Sequence, residues 1–399
     1  MSLANGRPYL AIPGPSTMPD RVLRAMMRPA PNIYAGALHE MVDGLWPDLR
    51  HVAGTKGRVA LYIGNGHAGW EAANANLFSR GDRALVLATG RFGLSWAEAA
   101  RAMGVAVDLL DFGPAPMDLT RVEAALRADR DHRIRAVLTT HVDTASSVRS
   151  DVPALRALLD DVGHPALLAV DAIASLACDE YHMDDWGVDV TVSASQKGLM
   201  TPPGLAFVWF SERAAERCCT ADLRTPYWDW RPRTEGQEFW QLFCGTAPTH
   251  HLYALREALD MLKEEGMPAV WARHEVLARA VWAAFEAWGA GNPAIALNVA
   301  APAFRGRSVT SARMGAPHAT LLRRWTEAQA GVTLGIGLGM STPGDPAGDG
   351  FLRVAHMGHV SAHMTLGALG AMEAGLCALG IPYGPGALEA AARVVAGRA

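Results

Sequence analysis

Lys197 and Asp171 carry the clearest chemical signal in the chain. Lys197 stands in TVSASQKGLMTPP, residues 191–203, where an apolar β-branched run leads into small polar residues and a Gly/Pro-rich exit. Asp171 closes a second apolar run, ALLAV at 166–170. An acid and an amine at the ends of two parallel strands are the minimal equipment for holding a pyridine-type cofactor as a Schiff base. An unpaired carboxylate at the end of so apolar a strand is costly. A protonated ring nitrogen would relieve it; a helix N-cap or a salt bridge is the structural alternative. The small residues Ser193, Ser195 and Gly198 around Lys197 are expected to leave room for a bulky ligand.

Other candidates fall at neighbouring strand ends. GNGHAG at 64–69 reads as a polar turn between strand and helix, rich in exposed backbone donors. Such a turn can hold a phosphate without a basic side chain; an ordinary tight turn is the alternative. Phe92, after Thr89–Gly90–Arg91, could stack flat on a ring or belong to the core. His141, Asp143 and Thr144 follow another strand, with Thr144 placed to donate to a ring hydroxyl oxygen. Arg353, in FLRVAHMGH, must find an anion within an apolar strand: a substrate carboxylate or a protein salt bridge. His356 and His359 lack a third ligand, so no metal site is expected there.

These positions require a particular scaffold. Short apolar runs at 59–63, 84–88, 105–110, 136–140, 166–170, 188–192 and 206–210 alternate with amphipathic stretches at 70–77, 94–103, 119–128 and 152–159. Such βα repetition predicts a mostly parallel sheet with helices on both faces. Ligands in such sheets bind beyond the carboxyl ends of the strands. Before the sheet, AIPGPSTMPD at 11–20 predicts an extended arm and 39–52 a helix. Helices are expected at 248–266 and 268–288. After about residue 290 the pattern changes to a Gly-rich stretch at 331–339, a strand at 351–357 and a helix at 359–379. That predicts a smaller C-terminal α+β domain.

Composition narrows the function class. Half of the 399 residues are apolar and the net charge is −4. Two domains are expected, and nothing favours nucleic acid or an anionic membrane. Five cysteines without repeated spacing argue against a disulfide framework, and the first residues do not read as a signal peptide. With no membrane-length apolar stretch, a cytoplasmic setting is the expectation. The twelve tryptophans concentrate in part in YWDWRPRTEGQEFW, 227–240, as a pocket wall, an oligomer interface or a plug in an interdomain seam.

With these residues in hand, the chain resembles the class V aminotransferases of fold type I, specifically the alanine/serine–glyoxylate aminotransferase group. The resemblance runs nearly the full length. It is most specific at AGWEAA (68–73), HRIRAVLTTH (132–141), the segment 150–175, the segment 183–208 and LRVAHMGH (352–359). It implies an α/β fold with an N-terminal arm (1–22), a large pyridoxal-phosphate-binding domain (23–265) and a small domain (266–399). It implies pyridoxal 5′-phosphate as cofactor, bound covalently by Lys197 with Asp171 at the ring nitrogen. Gly66, His67 and Gln196 would hold the phosphate, with Thr246 supplied by the neighbouring subunit of a homodimer. Phe92 takes the place of the ring-stacking aromatic, Thr144 the hydroxyl position and Arg353 the substrate carboxylate clamp.

The implied reaction moves an amino group from a serine-, alanine- or aspartate-like amino acid to a small 2-oxo acid such as glyoxylate or pyruvate. The chain departs from the family at Val142–Asp143, at Phe243 where a tyrosine is usual, and at Asn32–Ile33–Tyr34. A pyridoxal-phosphate-dependent lyase or decarboxylase on a small amino acid is the alternative. A desulfurase would need a mobile catalytic cysteine, and only Cys377 lies in the second domain. A scaffold without turnover is opposed by Lys197, Asp171 and Arg353. A NAD-type oxidoreductase lacks its glycine fingerprint.

Overall fold

The computed structural model describes residues 2–398. Two sheets organise it. The strands are β1 (Tyr9–Ala11), β2 (Arg58–Gly64), β3 (Arg83–Ala88), β4 (Ala106–Asp111), β5 (Ile134–Thr140), β6 (Leu167–Asp171), β7 (Val190–Ala194), β8 (Gly204–Phe210), β9 (Ala296–Leu297), β10 (Val309–Arg313), β11 (Val332–Ile336) and β12 (Phe351–Ala355). The large sheet has the order β2-β8-β7-β6-β5-β3-β4 and the small sheet β1-β11-β12-β10-β9.

Strands β3 to β7 pair in parallel, as the βα alternation predicts. β8 is the exception: it runs antiparallel to both β7 and β2. The reason is local. Only the short loop carrying Lys197 separates β7 from β8, too little chain for the crossover that a parallel pairing needs.

The strands of the large sheet are apolar on both faces because each face has its own core. In β8, Leu205, Phe207 and Trp209 enter one hydrophobic cluster, while Ala206, Val208 and Phe210 enter the other. In β6, Leu168 and Val170 divide from Leu167 and Ala169 in the same way. This period-2 division explains why the runs read as continuous rather than alternating. A third cluster fills the small domain between its sheet and the helices Met267–Gly291, Ala362–Ala378 and Ala387–Val395.

Several sequence expectations are corrected. The helix expected over 39–52 is two helices, Ala37–Asp43 and Leu45–Ala53, parted at Gly44. The turn expected over 64–69 is already helix from Gly66, because Asn65 serves as its N-cap and accepts from the His67 amide. The Gly-rich stretch at 331–339 contains β11, and a further helix, Ala387–Val395, follows the one expected at 359–379.

The N-terminal arm does not stand apart. Its β1 pairs in parallel with β11 of the small sheet, and the chain then crosses to the large domain. The aromatic segment 227–240 packs on the β2 edge of the large sheet rather than in a seam. Trp230 stacks on Phe210 with ring centroids 4.1 Å apart, and Arg233 lies over the Tyr62 ring at 4.2 Å.

Candidate active site

The Lys197 loop is closed by its own small residues. Ser195 Oγ donates to the Pro202 carbonyl at 2.7 Å and accepts from the Leu205 amide at 3.2 Å. Gly198 is a glycine of close approach: a Cβ there would lie 2.1 Å from the Leu176 carbonyl oxygen. The small flanking residues thus let the loop fold onto its neighbours, rather than leaving space for a ligand as the sequence suggested. Lys197 itself is buried. Burial, with the positive charge of Arg353, brings its amine down to about 8.

A contact absent from the sequence reading completes this loop. Lys197 Nζ donates to the Pro13 carbonyl of the N-terminal arm. Ser16 fastens the arm in place: its Oγ donates to the Lys197 carbonyl at 2.7 Å and its amide to the Gln196 carbonyl at 2.9 Å. Gly14, at φ +101°, lies so close that a Cβ would meet Lys197 Cε at 2.6 Å. On its other side, Pro13 packs against Gly335, whose register partner is Arg353. The arm therefore spans the amine and the arginine. A glycine between two prolines was the available signal, and it points to a contact only once the fold is known.

Asp171 ends β6, fully enclosed and without an ion-pair partner. Its Oδ1 accepts from the Ile173 amide at 2.7 Å, and its Oδ2 from Trp70 Nε1 at 2.9 Å. Burial drives this carboxyl up to about 7, while the two donated hydrogen bonds oppose the shift. The helix N-cap alternative is not realised: no helix follows β6, and the Ile173 bond closes an Asx-type turn. Trp70 was not singled out by the sequence; its position one helical turn after Gly66 was the clue.

The Gly66–Leu77 helix points its N-terminus into the same region. The His67 amide is taken by Asn65 Oδ1 at 3.1 Å, and the amides of Gly66 and Ala68 have no acceptor among the described residues. Gly66 permits the approach of Ile173, since a Cβ would fall 2.4 Å from Ile173 Cδ1. Gln196 Oε1 is buried with no hydrogen-bond partner. Free helix-terminal amides suit a phosphate, and Gln196 can join them only through its Nε2, because Oε1 is itself an acceptor. Together with a buried amine and a buried, unpaired carboxylate, they fit pyridoxal 5′-phosphate.

Phe92 is set by Asp143. The Asp143 carboxylate accepts from the amides of Phe92 and Gly93 at 2.8 and 3.1 Å, and from Ala145 at 2.9 Å. The departure from the family at this position therefore caps the Arg91–Ala102 helix and orients the aromatic. Burial raises this carboxyl too.

Arg353, in β12, donates Nε to the Ile336 carbonyl at 2.7 Å and Nη1 to the Thr144 carbonyl at 3.0 Å. No carboxylate of the described residues pairs with it, so the protein salt bridge weighed from sequence is not formed. Burial lowers its guanidinium to about 10. Thr144 is buried at the end of β5, beside this arginine. His141 is enclosed by Tyr181 and Trp186 and held near 3 by burial, a neutral packing residue. Thr246 is exposed and meets none of these residues within the chain. Phe243 lies in the large-domain core of its own chain. Among the described residues no group of three metal-binding side chains occurs.

Comparison with known proteins agrees with this geometry. The family model described as aminotransferase class-V matches residues 9–337. The serine–glyoxylate aminotransferase of Methylorubrum extorquens is 35% identical over 97% of this chain and 95% of its own length. The L-aspartate–glyoxylate aminotransferase of Paracoccus denitrificans is 34% identical over 96% and 94%. The crystal structure of pyridoxamine–pyruvate aminotransferase from Mesorhizobium loti superimposes with a TM-score of 0.89, at 25% identity and complete coverage of both chains.

Proposed function

The chain belongs to the class V aminotransferases, and from that membership we propose how its residues carry pyridoxal-phosphate-dependent transamination between a small amino acid and a 2-oxo acid. The donor is serine-, alanine- or aspartate-like and the acceptor is glyoxylate or pyruvate, as in the names of its relatives. One observation carries the assignment of roles. Asp171 and Arg353 are buried charges of opposite sign without ion-pair partners, and the fields of both reach the Lys197 amine.

Bound pyridoxal phosphate supplies the electron sink for the pair released at the substrate α-carbon. The protein does the rest. The Gly66 and Ala68 amides, with the Gln196 side-chain NH2 group, would receive the phosphate. Asp171 would accept a charge-assisted hydrogen bond from the protonated ring nitrogen, and Phe92 would pack against the ring. Arg353 offers the guanidinium edge left over from its two carbonyl contacts to the substrate carboxylate. Lys197, whose amine titrates close to neutrality, would hold and move the α-proton at Nζ. The Pro13 carbonyl orients that amine between steps.

Thr246 is exposed, and its chain neighbour Gly245 lines one surface cavity with the exposed Trp240 and Tyr34. This supports a homodimer in which Thr246 reaches the partner's phosphate site. No helix among the described residues is long and apolar enough to cross a membrane.

The reading is tested by screening amino donors against glyoxylate and pyruvate while following the cofactor's visible absorption. Transamination requires that absorption to fall with donor alone and to return on adding the 2-oxo acid. Product formation that never needs a 2-oxo acid would replace it with a lyase or decarboxylase.

A further inference from the structure

The structure assigns to Trp70 a positioning role in the reaction: its indole N–H fixes the Asp171 carboxylate on which the ring nitrogen of the cofactor rests. The inference builds on the aminotransferase reading above. The Ile173 bond to Asp171 is local, coming from two residues along the same turn, and it engages only Oδ1. The bond to Oδ2 comes from a separate element, 101 residues away in sequence. Without it, one oxygen of a buried carboxylate would have no donor from the protein.

Trp70 is well built for this task. Its indole is fully enclosed and stacks on Trp96 with ring centroids 6.1 Å apart and planes 11° apart. His67 and Phe92 lie against it at 4.5 and 6.4 Å. Trp96 sends its own N–H elsewhere, to Asn74 Oδ1 at 3.1 Å, so it does not compete for Asp171. Packing alone would be served by phenylalanine or leucine; the N–H is what packing does not need. A buried indole N–H seeks an acceptor, and here it finds a carboxylate.

The position in the helix adds a second consequence. Trp70 follows Gly66 by four residues, so the two lie on one face, a single turn apart. One helix thus offers its terminal amides to the phosphate and its indole to the acid that meets the ring nitrogen. The two anchors of the cofactor keep a fixed separation whatever the loops do. The donated N–H also favours the ionised carboxylate against the burial that drives it towards neutrality. A neutral Asp171 could not hold a protonated ring nitrogen.

The test compares Trp70→Phe with Trp96→Phe. The first removes the donor and keeps an aromatic; the second removes the neighbouring N–H and spares Asp171. In the loaded enzyme, W70F should lower kcat roughly tenfold or more. KM for the amino donor should stay within about threefold, and the acid limb of the rate profile should move to higher pH. W96F should stay within about threefold in each. In the cofactor-free protein with ¹⁵N-indole tryptophan, one indole N–H signal should be lost in W70F. That signal should follow a carboxyl titration in the wild type and stop doing so in Asp171→Asn.

Unchanged kcat and pH profile in W70F, or no indole signal responding to both pH and D171N, overturns the inference. Should W70F fail to fold, the signal displaced by D171N in otherwise native protein still decides. Should no amino donor and acceptor turn over, the aminotransferase reading fails separately and the resonance experiment still stands.

Discussion

Asp171 and Arg353 are buried charges of opposite sign, met by opposite kinds of backbone and side-chain groups. Asp171 receives two N–H donors, from Ile173 and Trp70; Arg353 gives to two carbonyls, from Ile336 and Thr144. Neither has a counter-ion. Partial dipoles hold each group in position but leave its net charge uncompensated, and burial moves both towards neutrality. The difference lies in support. The Asp171 donors belong to the large domain alone, whereas the Arg353 acceptors come from both domains. The acid is thus set within one rigid unit, and the guanidinium is set by how the two domains meet.

The largest expected effect falls on the amine that both charges act upon. Lys197→Ala should lower transamination by about 10²–10⁴-fold and abolish the borohydride-trapped covalent adduct. A trapped adduct at another lysine would break the assignment. Removing one member of the comparison at a time comes next. Asp171→Asn should cost about 3–5 kcal/mol of transition-state stabilisation, read as kcat with little change in KM. Arg353→Ala should cost about 2–5 kcal/mol, read mainly as raised KM for carboxylate substrates and absent for substrates lacking a carboxylate. If both variants altered kcat and KM in the same ratio, the division of labour would be wrong.

Acid and amine also separate by pH in the cofactor-free protein. The folded state holds the Asp171 proton up to about 7, against an ordinary value of 3.8. Its contribution to stability is therefore full below about 4 and is lost as pH rises to about 7. For Lys197, at about 8 against 10.5, the unfolded chain binds more protons in that window, so stability rises with pH across it. Denaturation midpoints against pH should show the first slope flattened in D171N and the second in K197A. The smallest effect is expected at Phe92→Leu, about 0.5–1.5 kcal/mol in cofactor affinity, because the lost stacking is partly replaced by aliphatic contact. Equilibrium dialysis of the cofactor measures it.

Legibility followed how local each determinant is. Strand ends are set by short-range pattern, so Asp171 and Lys197 lie at or just beyond the strand ends expected, whereas Gly66 and Phe92 stand in the first turns of the helices that follow their strands. The antiparallel β8 was hidden because a buried antiparallel strand and a buried parallel one have the same apolar run. Trp70 and Pro13 were missed for a different reason: each acts on a residue more than a hundred positions away. Asp143 was seen as a strand-end candidate and a departure from the family but not as a cap, because an acid that caps a distant helix looks the same in sequence as one that lines a pocket. In the small domain, β9 and β10 pair through neighbours that no local period reveals.

The pairing of β1 with β11 joins Tyr9 to Val332, and the Pro13 carbonyl meets an amine 184 residues further on. During synthesis the arm precedes the other strands of both sheets, and its sheet partner follows every strand of the large one. The Lys197 loop, to which Ser16 fastens the arm, is made well before that partner. The carbonyl that faces the Lys197 amine is therefore held from two sides, by the loop it serves and by the sheet of the other domain, so a shift of one domain against the other is felt at that amine.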